Sequence, residues 1–151
     1  MKNIFHGFNK ILLVALLSLA VFLPTTAPAA TPNYDLAIPG IAVLPFHLSG
    51  QYTATATGVV KFNMPFKCRV LNVMANARAS GGTSPTLTVD VLEAGASILS
   101  SAISITAGTV AEGTISDASI ADEAAVTVNL TIGGTSPTWN DITVMLIVIR
   151  E

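Results

Sequence analysis

The stretch AVTVNLTI, residues 125–132, decides the class of fold. Val126, Val128, Leu130 and Ile132 fall on one side of an extended backbone, and Thr127, Asn129 and Thr131 fall on the other. Successive side chains alternate between the faces of a strand, whereas a helix of period 3.6 would scatter this pattern around its circumference. Such alternation predicts a strand with one face on a core and the other in water. TLTVDVL, residues 86–92, follows the same rule, with Leu87, Val89 and Val91 set against Thr88 and Asp90. ITVMLIVI, residues 142–149, is apolar on both faces. It is therefore expected to be covered on both sides, either centrally in a sheet or against another subunit.

Outward from these stretches, short runs rich in β-branched residues alternate with Gly, Pro, Ser and Asn. Strands are expected at 41–48, 54–63, 68–78, 86–92, 97–105, 113–120, 125–132 and 141–150. The apolar phase of the third changes around Val70-Leu71, the signature of a bulge. EAGAS, residues 93–97, places Gly95 where a tight hairpin needs it. About eight strands with regular turns predict an all-β, antiparallel β-sandwich, jelly-roll-like in type. ISDASIADEAA, residues 115–125, has room for one helical turn; no other segment after Thr31 has a helical pattern.

The hexapeptide GGTSPT occurs twice, at 81–86 and 133–138, each time between one expected strand and the next. Gly-Gly supplies positive φ, Ser and Thr bond locally to the backbone, and Pro fixes φ and avoids inner ladder positions. We read the repeat as connection chemistry needed twice. A duplication should leave similarity beyond the six residues, and the flanks VMANARAS and VTVNLTI share only strand character. A ligand-binding loop is the third reading. If both loops lie at one end of a sandwich, Thr83, Ser84, Thr135 and Ser136, with the adjoining Trp139 and Asn140, are the candidate partner contacts.

Composition narrows the function. Of 151 residues, 51% are hydrophobic and only 11% charged, with a net charge of −2. No Lys/Arg cluster is present, which argues against nucleic acid as a partner. Lys2 and Lys10 precede the apolar run 11–23, and Ala27-Pro28-Ala29 follows it. Basic flank, short apolar run and small-residue site make residues 1–30 a signal peptide, or a retained hydrophobic anchor helix. Residues 31–40 read as an extended linker and 41–151 as the β-sandwich domain. Membrane contact is expected only through residues 1–30, if these are retained.

The inventory of chemistry is thin. Cys68 is the single cysteine and reads as a buried strand residue. His47 is the one histidine after residue 30, so a catalytic triad would have to use it, and no nucleophile elbow accompanies it. Paired ligand spacing for zinc is lacking, and the acidic residues Asp90, Glu93, Asp117, Asp122 and Glu123 read as solvated turn positions rather than a calcium site. No catalytic residue, cofactor or metal is expected. Trp139 is either a partner anchor or a plug at one end of the sandwich.

TLTVDVLEAGASILSSAISITAGT, followed by GTISDASIADEAAVTVNLTIGGTSPTWNDITVMLIVI, resembles a β-sandwich module of tailed-phage virion structural proteins, of the head-decoration and head-fibre type. The similarity runs over roughly residues 54–149; where those modules often carry Asn-Gly at the hairpin, this chain carries Ala94-Gly95. The resemblance implies a non-enzymatic protein that decorates or stabilises a capsid or other particle surface. Its partners would be other virion proteins and copies of itself, as a homo-oligomer such as a trimer. The alternative is an exported bacterial surface or periplasmic module that binds glycans or a protein; a small secreted hydrolase comes third.

Overall fold

The computed structural model describes residues 40–151. The readings of residues 1–30 as signal peptide or anchor helix, and of 31–39 as linker, lie outside the described residues. What is described is an all-β antiparallel sheet of eight strands, with no helix among the described residues. In chain order these are β1 (Ile41–Tyr52), β2 (Ala56–Asn63), β3 (Cys68–Glu93), β4 (Ala96–Ser97), β5 (Ile103–Ser104), β6 (Ala111–Glu112), β7 (Ser119–Ile120) and β8 (Ala125–Arg150).

The two longest strands organise the rest. β3 and β8, 26 residues each, pair antiparallel from Cys68 opposite Arg150 to Glu93 opposite Val126. This corrects one expectation. The GGTSPT segments are not loops between strands, because the ladder runs through both of them and fuses 68–78 with 86–92 and 125–132 with 141–150. Each hexapeptide is the partner of the other. Gly81 lies opposite Thr138, Thr83 opposite Thr135 and Thr86 opposite Gly133, with register shifts around Thr83.

Antiparallel pairing relates the segments by a local two-fold axis, so the same residue types recur at equivalent places. Gly82 and Gly134 both have positive φ (96° and 112°), as do Ser84 and Ser136 (50° and 48°). A Cβ at Gly82 would sit 2.8 Å from the Thr135 carbonyl oxygen, and one at Gly134 would sit 2.6 Å from that of Ser84. Two backbones cross too closely for side chains on the inside, and that is why the hexapeptide is present twice.

On one side of this crossing, residues 68–80 and 139–150 form an arm flanked by β1 and by β6 and β7. On the other side, residues 86–93 and 126–132 form a second arm flanked by β2 and by β4 and β5. Both arms bury one face in the same core. Val73, Ala77, Ile142, Val144 and Val148 come from the first, and Val89, Val91, Val126, Val128 and Leu130 from the second, all at or below 1% exposure. Phe46 of β1 and Phe62 of β2 meet across it with ring centroids 5.1 Å apart. Each fully buried Val, Leu or Ile contributes about 1.5–3 kcal/mol relative to exposure, so this shared core supplies the drive that folds the arms together.

Three local expectations are met. The ladder shifts between Val70 and Asn72, leaving Leu71 bulged out and 40% exposed. Ala94 and Gly95 both have positive φ (47° and 89°), as a two-residue hairpin turn requires. Cys68 is fully buried, and burial, followed by the nearby carboxylates of Glu93 and Glu151, pushes its thiol up in pKa. The expected strands 97–105 and 113–120 are mostly irregular, reduced to the two-residue elements β4 to β7. That segment follows β3 through isolated backbone bonds, such as Ile98 N–H to Val91 O, Ile105 N–H to Leu87 O and Gly113 N–H to Val73 O.

Gly134→Ala is expected to cost at least about 2 kcal/mol in urea denaturation, because it combines a left-handed L-residue with a backbone clash. Gly58→Ala, at φ 64° with nothing within 4 Å of the added Cβ, is expected to cost only about 1 kcal/mol. Equal effects would show that the crossing is not close-packed.

Candidate functional site

Register places three rows of side chains on the outer face of the first arm. His47, Thr143 and Asn76 form one, Pro45, Met145 and Met74 the next, and Val43, Ile147 and Asn72 the third. Their neighbours along each strand, including Val73, Ala75, Val144 and Leu146, point into the core. Two of these rows are largely apolar and only partly buried, and Val43 is 53% exposed. On the second arm the corresponding outer face carries Thr127, Asn129, Thr131, Thr88 and Asp90. The stretch 142–149 is thus central in its sheet, with its inward side chains buried and its outward ones, Thr143, Met145, Ile147 and Ile149, partly exposed.

Toward the hexapeptide crossing this face turns polar. An open depression of about 440 Å³ is lined by His47, Asn76, Ala77, Arg78, Gly108, Asp141 and Thr143. Asp141 is its organising residue. It has φ 49°, an αL conformation that Asp tolerates better than most residues. Its Oδ1 accepts the Gly50 N–H at 3.0 Å, and its Oδ2 accepts Arg78 Nε–H and Nη2–H at 2.6 Å each. The Gly50 N–H first, and Arg78 second, hold the Asp141 carboxyl below the usual carboxylate range. His47 Nδ1 pairs with the Thr143 hydroxyl at 3.0 Å. The 106–109 turn closes one side, anchored by Gly108 N–H donating to the Ala77 carbonyl.

The six residues expected to make contacts divide. Thr83, Ser84, Thr135 and Ser136 come together at the crossing and are exposed, and Asn140 is partly exposed beside them. Trp139 is 2% exposed, so its ring belongs to the core rather than to a partner surface, and its Nε1 has no hydrogen-bond partner among the described residues. Sequence reading missed Asn76, Arg78, Asp141 and Thr143. The signal was present in the repeat. Once the two hexapeptides are paired with each other, the register brings Arg78 opposite Asp141.

Chemically, the depression is a set of hydrogen-bonding groups in water. His47 meets a hydroxyl, but both Asp141 oxygens are occupied by Gly50 and Arg78 rather than by the imidazole. No group of His, Cys, Asp and Glu among the described residues is arranged to hold a metal ion.

No protein-family model matches this chain, and no curated protein matches it. Among solved structures, a chain in the structure of infectious bursal disease virus Gx strain is similar, at 12% sequence identity and a TM-score of 0.38. The match covers 73% of this chain and 32% of that one, so this chain spans well under two thirds of the other's length.

A lowered carboxylate pKa means that the folded state holds the Asp141 proton less tightly than the unfolded chain does. Its stabilising contribution is present above the unfolded value of 3.8 and is lost as pH falls through the lower folded value. Asn at 141 keeps an acceptor for Gly50 but removes the titration. The wild-type Tm should therefore drop further than that of Asp141→Asn between pH 6 and pH 3; parallel curves would show that this carboxylate does not contribute.

Proposed function

We propose that this chain is a non-enzymatic structural protein of a virus particle, decorating or stabilising the particle surface through subunit contacts. We further propose that its arms form a jelly-roll β-sandwich. The pairing order supports the second statement. One arm runs β1, β8, β3, then β6 and β7; the other runs β2, β8, β3, then β4 and β5. That is the order in which folded antiparallel ribbons wind into a jelly roll. The resemblance to tailed-phage virion modules supports the first. The location this implies is the virion surface, with other virion proteins and copies of the chain as partners.

The observation that carries the reading is the unpartnered apolar face of the first arm, with Val43, Pro45, Met74, Met145, Ile147 and the bulged Leu71. Val43, Pro45 and Leu71 are exposed and Met74, Met145 and Ile147 half-buried, and an apolar patch of this kind on a chain with few charges supports a contact surface. Met and Arg are enriched in interfaces, and this face has both.

The sheet edges, by contrast, are closed to partners. Arg150 N–H donates to Gly40 O at 2.8 Å, and this bond sets the phase of the β1–β8 ladder. Even-numbered residues of β1 bond to β8, and the N–H and C=O of the odd-numbered ones point to the free edge. Pro45 is odd-numbered, so its missing N–H costs the ladder nothing and interrupts the edge instead. β2 carries Lys61 and a register shift, and β4 to β7 are two residues each. All three are ways of discouraging edge pairing. Association is left to the face.

Mass spectrometry of purified virus particles should detect this polypeptide as a component; recovery only from periplasm or medium would reverse the reading. Ile147→Glu should leave the unfolding free energy from urea denaturation within about 1 kcal/mol of wild type. Its incorporation into particles should fall at least about tenfold, the equivalent of 1.4 kcal/mol. Pro45→Val should restore a continuous edge and produce species larger than those of the wild type in light scattering as concentration rises. Identical scattering from the two would mean that Pro45 has no such role.

A further inference from the structure

We propose that the outer face of the first arm binds a second copy of itself across a two-fold axis, with Glu112 of each copy entering the polar depression of the other. This inference rests on the reading of that face as a contact surface. It names the partner and the residues that choose it.

Three observations converge on it. The first is the state of the depression. Asp141 uses Nε–H and one Nη2–H of Arg78, which leaves the rest of a five-donor guanidinium unengaged. Among the described residues the Asn76 amide has no hydrogen-bond partner, and the second ring nitrogen of His47 has none either. Open donors outnumber open acceptors, and the acceptor that satisfies several donors at once is a carboxylate.

The second observation is where a carboxylate is available. Glu112 of β6 lies opposite Met74, and directly opposed residues share a face, so Glu112 stands on the same outer face as the depression. It is exposed and has no ion pair or hydrogen bond among the described residues. Within its own chain it sits one row away from Asn76 and two from Arg78, on the order of 7–13 Å along the strand. A single face therefore carries both an unfilled acceptor site and an unused carboxylate. That self-complementarity is what an isologous contact requires.

The third is what such an axis does to the other rows. An axis in the contact plane, crossing the strands between the Met145 and Thr143 rows, exchanges the row of Met74 with the row of Asn76. It brings the paired methionines of the two copies together near the axis. It also lays the aliphatic stem of Arg78 against the row of Ile147, covering apolar surface while the charged end stays on Asp141 and Glu112. Four strands at about 4.8 Å and some ten residues at about 3.3 Å make a face of roughly 600 Å². This approaches the ~800 Å² per partner of a specific complex and predicts a modest affinity. The arrangement is a dimer, where the phage-module resemblance by itself implied an oligomer such as a trimer.

The test is a double-mutant cycle on the full chain by analytical ultracentrifugation. Wild type should show a concentration-dependent monomer–dimer equilibrium. Glu112→Gln and Arg78→Gln should each raise the dimer dissociation constant at least about fivefold, and the double variant should be no worse than the weaker single one. Glu112 makes no hydrogen bond or ion pair with the described residues, so its variant should unfold close to the wild-type urea midpoint. Strictly additive effects, no effect of either change, or a wild-type chain that stays monomeric throughout would overturn the proposal. Particle mass spectrometry is independent of this cycle. A virion component without coupling between Glu112 and Arg78 would refute the dimer alone, and a coupled dimer absent from particles would refute only the virion role.

Discussion

The close passage of two backbones where the hexapeptides meet is the constraint from which the rest of the molecule follows. Gly82 and Gly134 have no room for a Cβ, each being turned toward a carbonyl of the opposite strand. A pair of strands that bends at such a point stays continuous in its hydrogen bonding and still changes direction. Each strand can then serve both arms, and the two apolar faces enclose one core. Loops at both positions would have given four separate strands whose register had to be fixed independently. The shared kink fixes it once for both arms.

How much of this could be read in the sequence depends on the range of the interaction involved. Alternation in 86–92 and 125–132, the phase change at Leu71 and the Ala94-Gly95 turn are set by neighbours a few residues away, and all three were legible. The fusion of strands through GGTSPT was not. The same residues build an open turn when isolated and a paired kink when a second copy lies opposite, and only long-range pairing tells these apart. The ragged course of 96–120 was missed for a related reason. Ile98, Ile103, Ile105 and Ile120 are buried and give the stretch a strand-like composition, but their backbones bond to β3 only at intervals. The polar depression escaped because His47, the Asn76–Arg78 stretch and Asp141 are distant in sequence and meet only through register. Trp139 could be read either way from its neighbours, and burial placed it inside.

The two outer faces differ although the same two strands build both. Along 125–132 the outward positions are Thr and Asn, and the face is content in water. Along 142–149 they are Thr, Met and Ile. The hydrophobic effect has no preference for a partner, so an apolar face alone would be sticky toward many surfaces. Placing Arg78, Asp141, His47 and Glu112 around it adds a condition that a partner has to satisfy, since an unmatched charge against this face costs free energy. Blunted edges and a discriminating face are two parts of one solution to the problem of exposing strands without unspecific association.

The margin between β4 and β7 has a different consequence. It is pinned to the body by a few isoleucine and leucine side chains and by scattered backbone bonds, not by an unbroken ladder. A residue inserted into β3 or β8 would slip the pairing and turn core side chains outward. One inserted between two anchors of the margin would only lengthen the slack between them. The molecule thus combines a body whose spacing is inflexible with a border whose length is free to drift, and that border is where new surface features can be added at little cost to the fold.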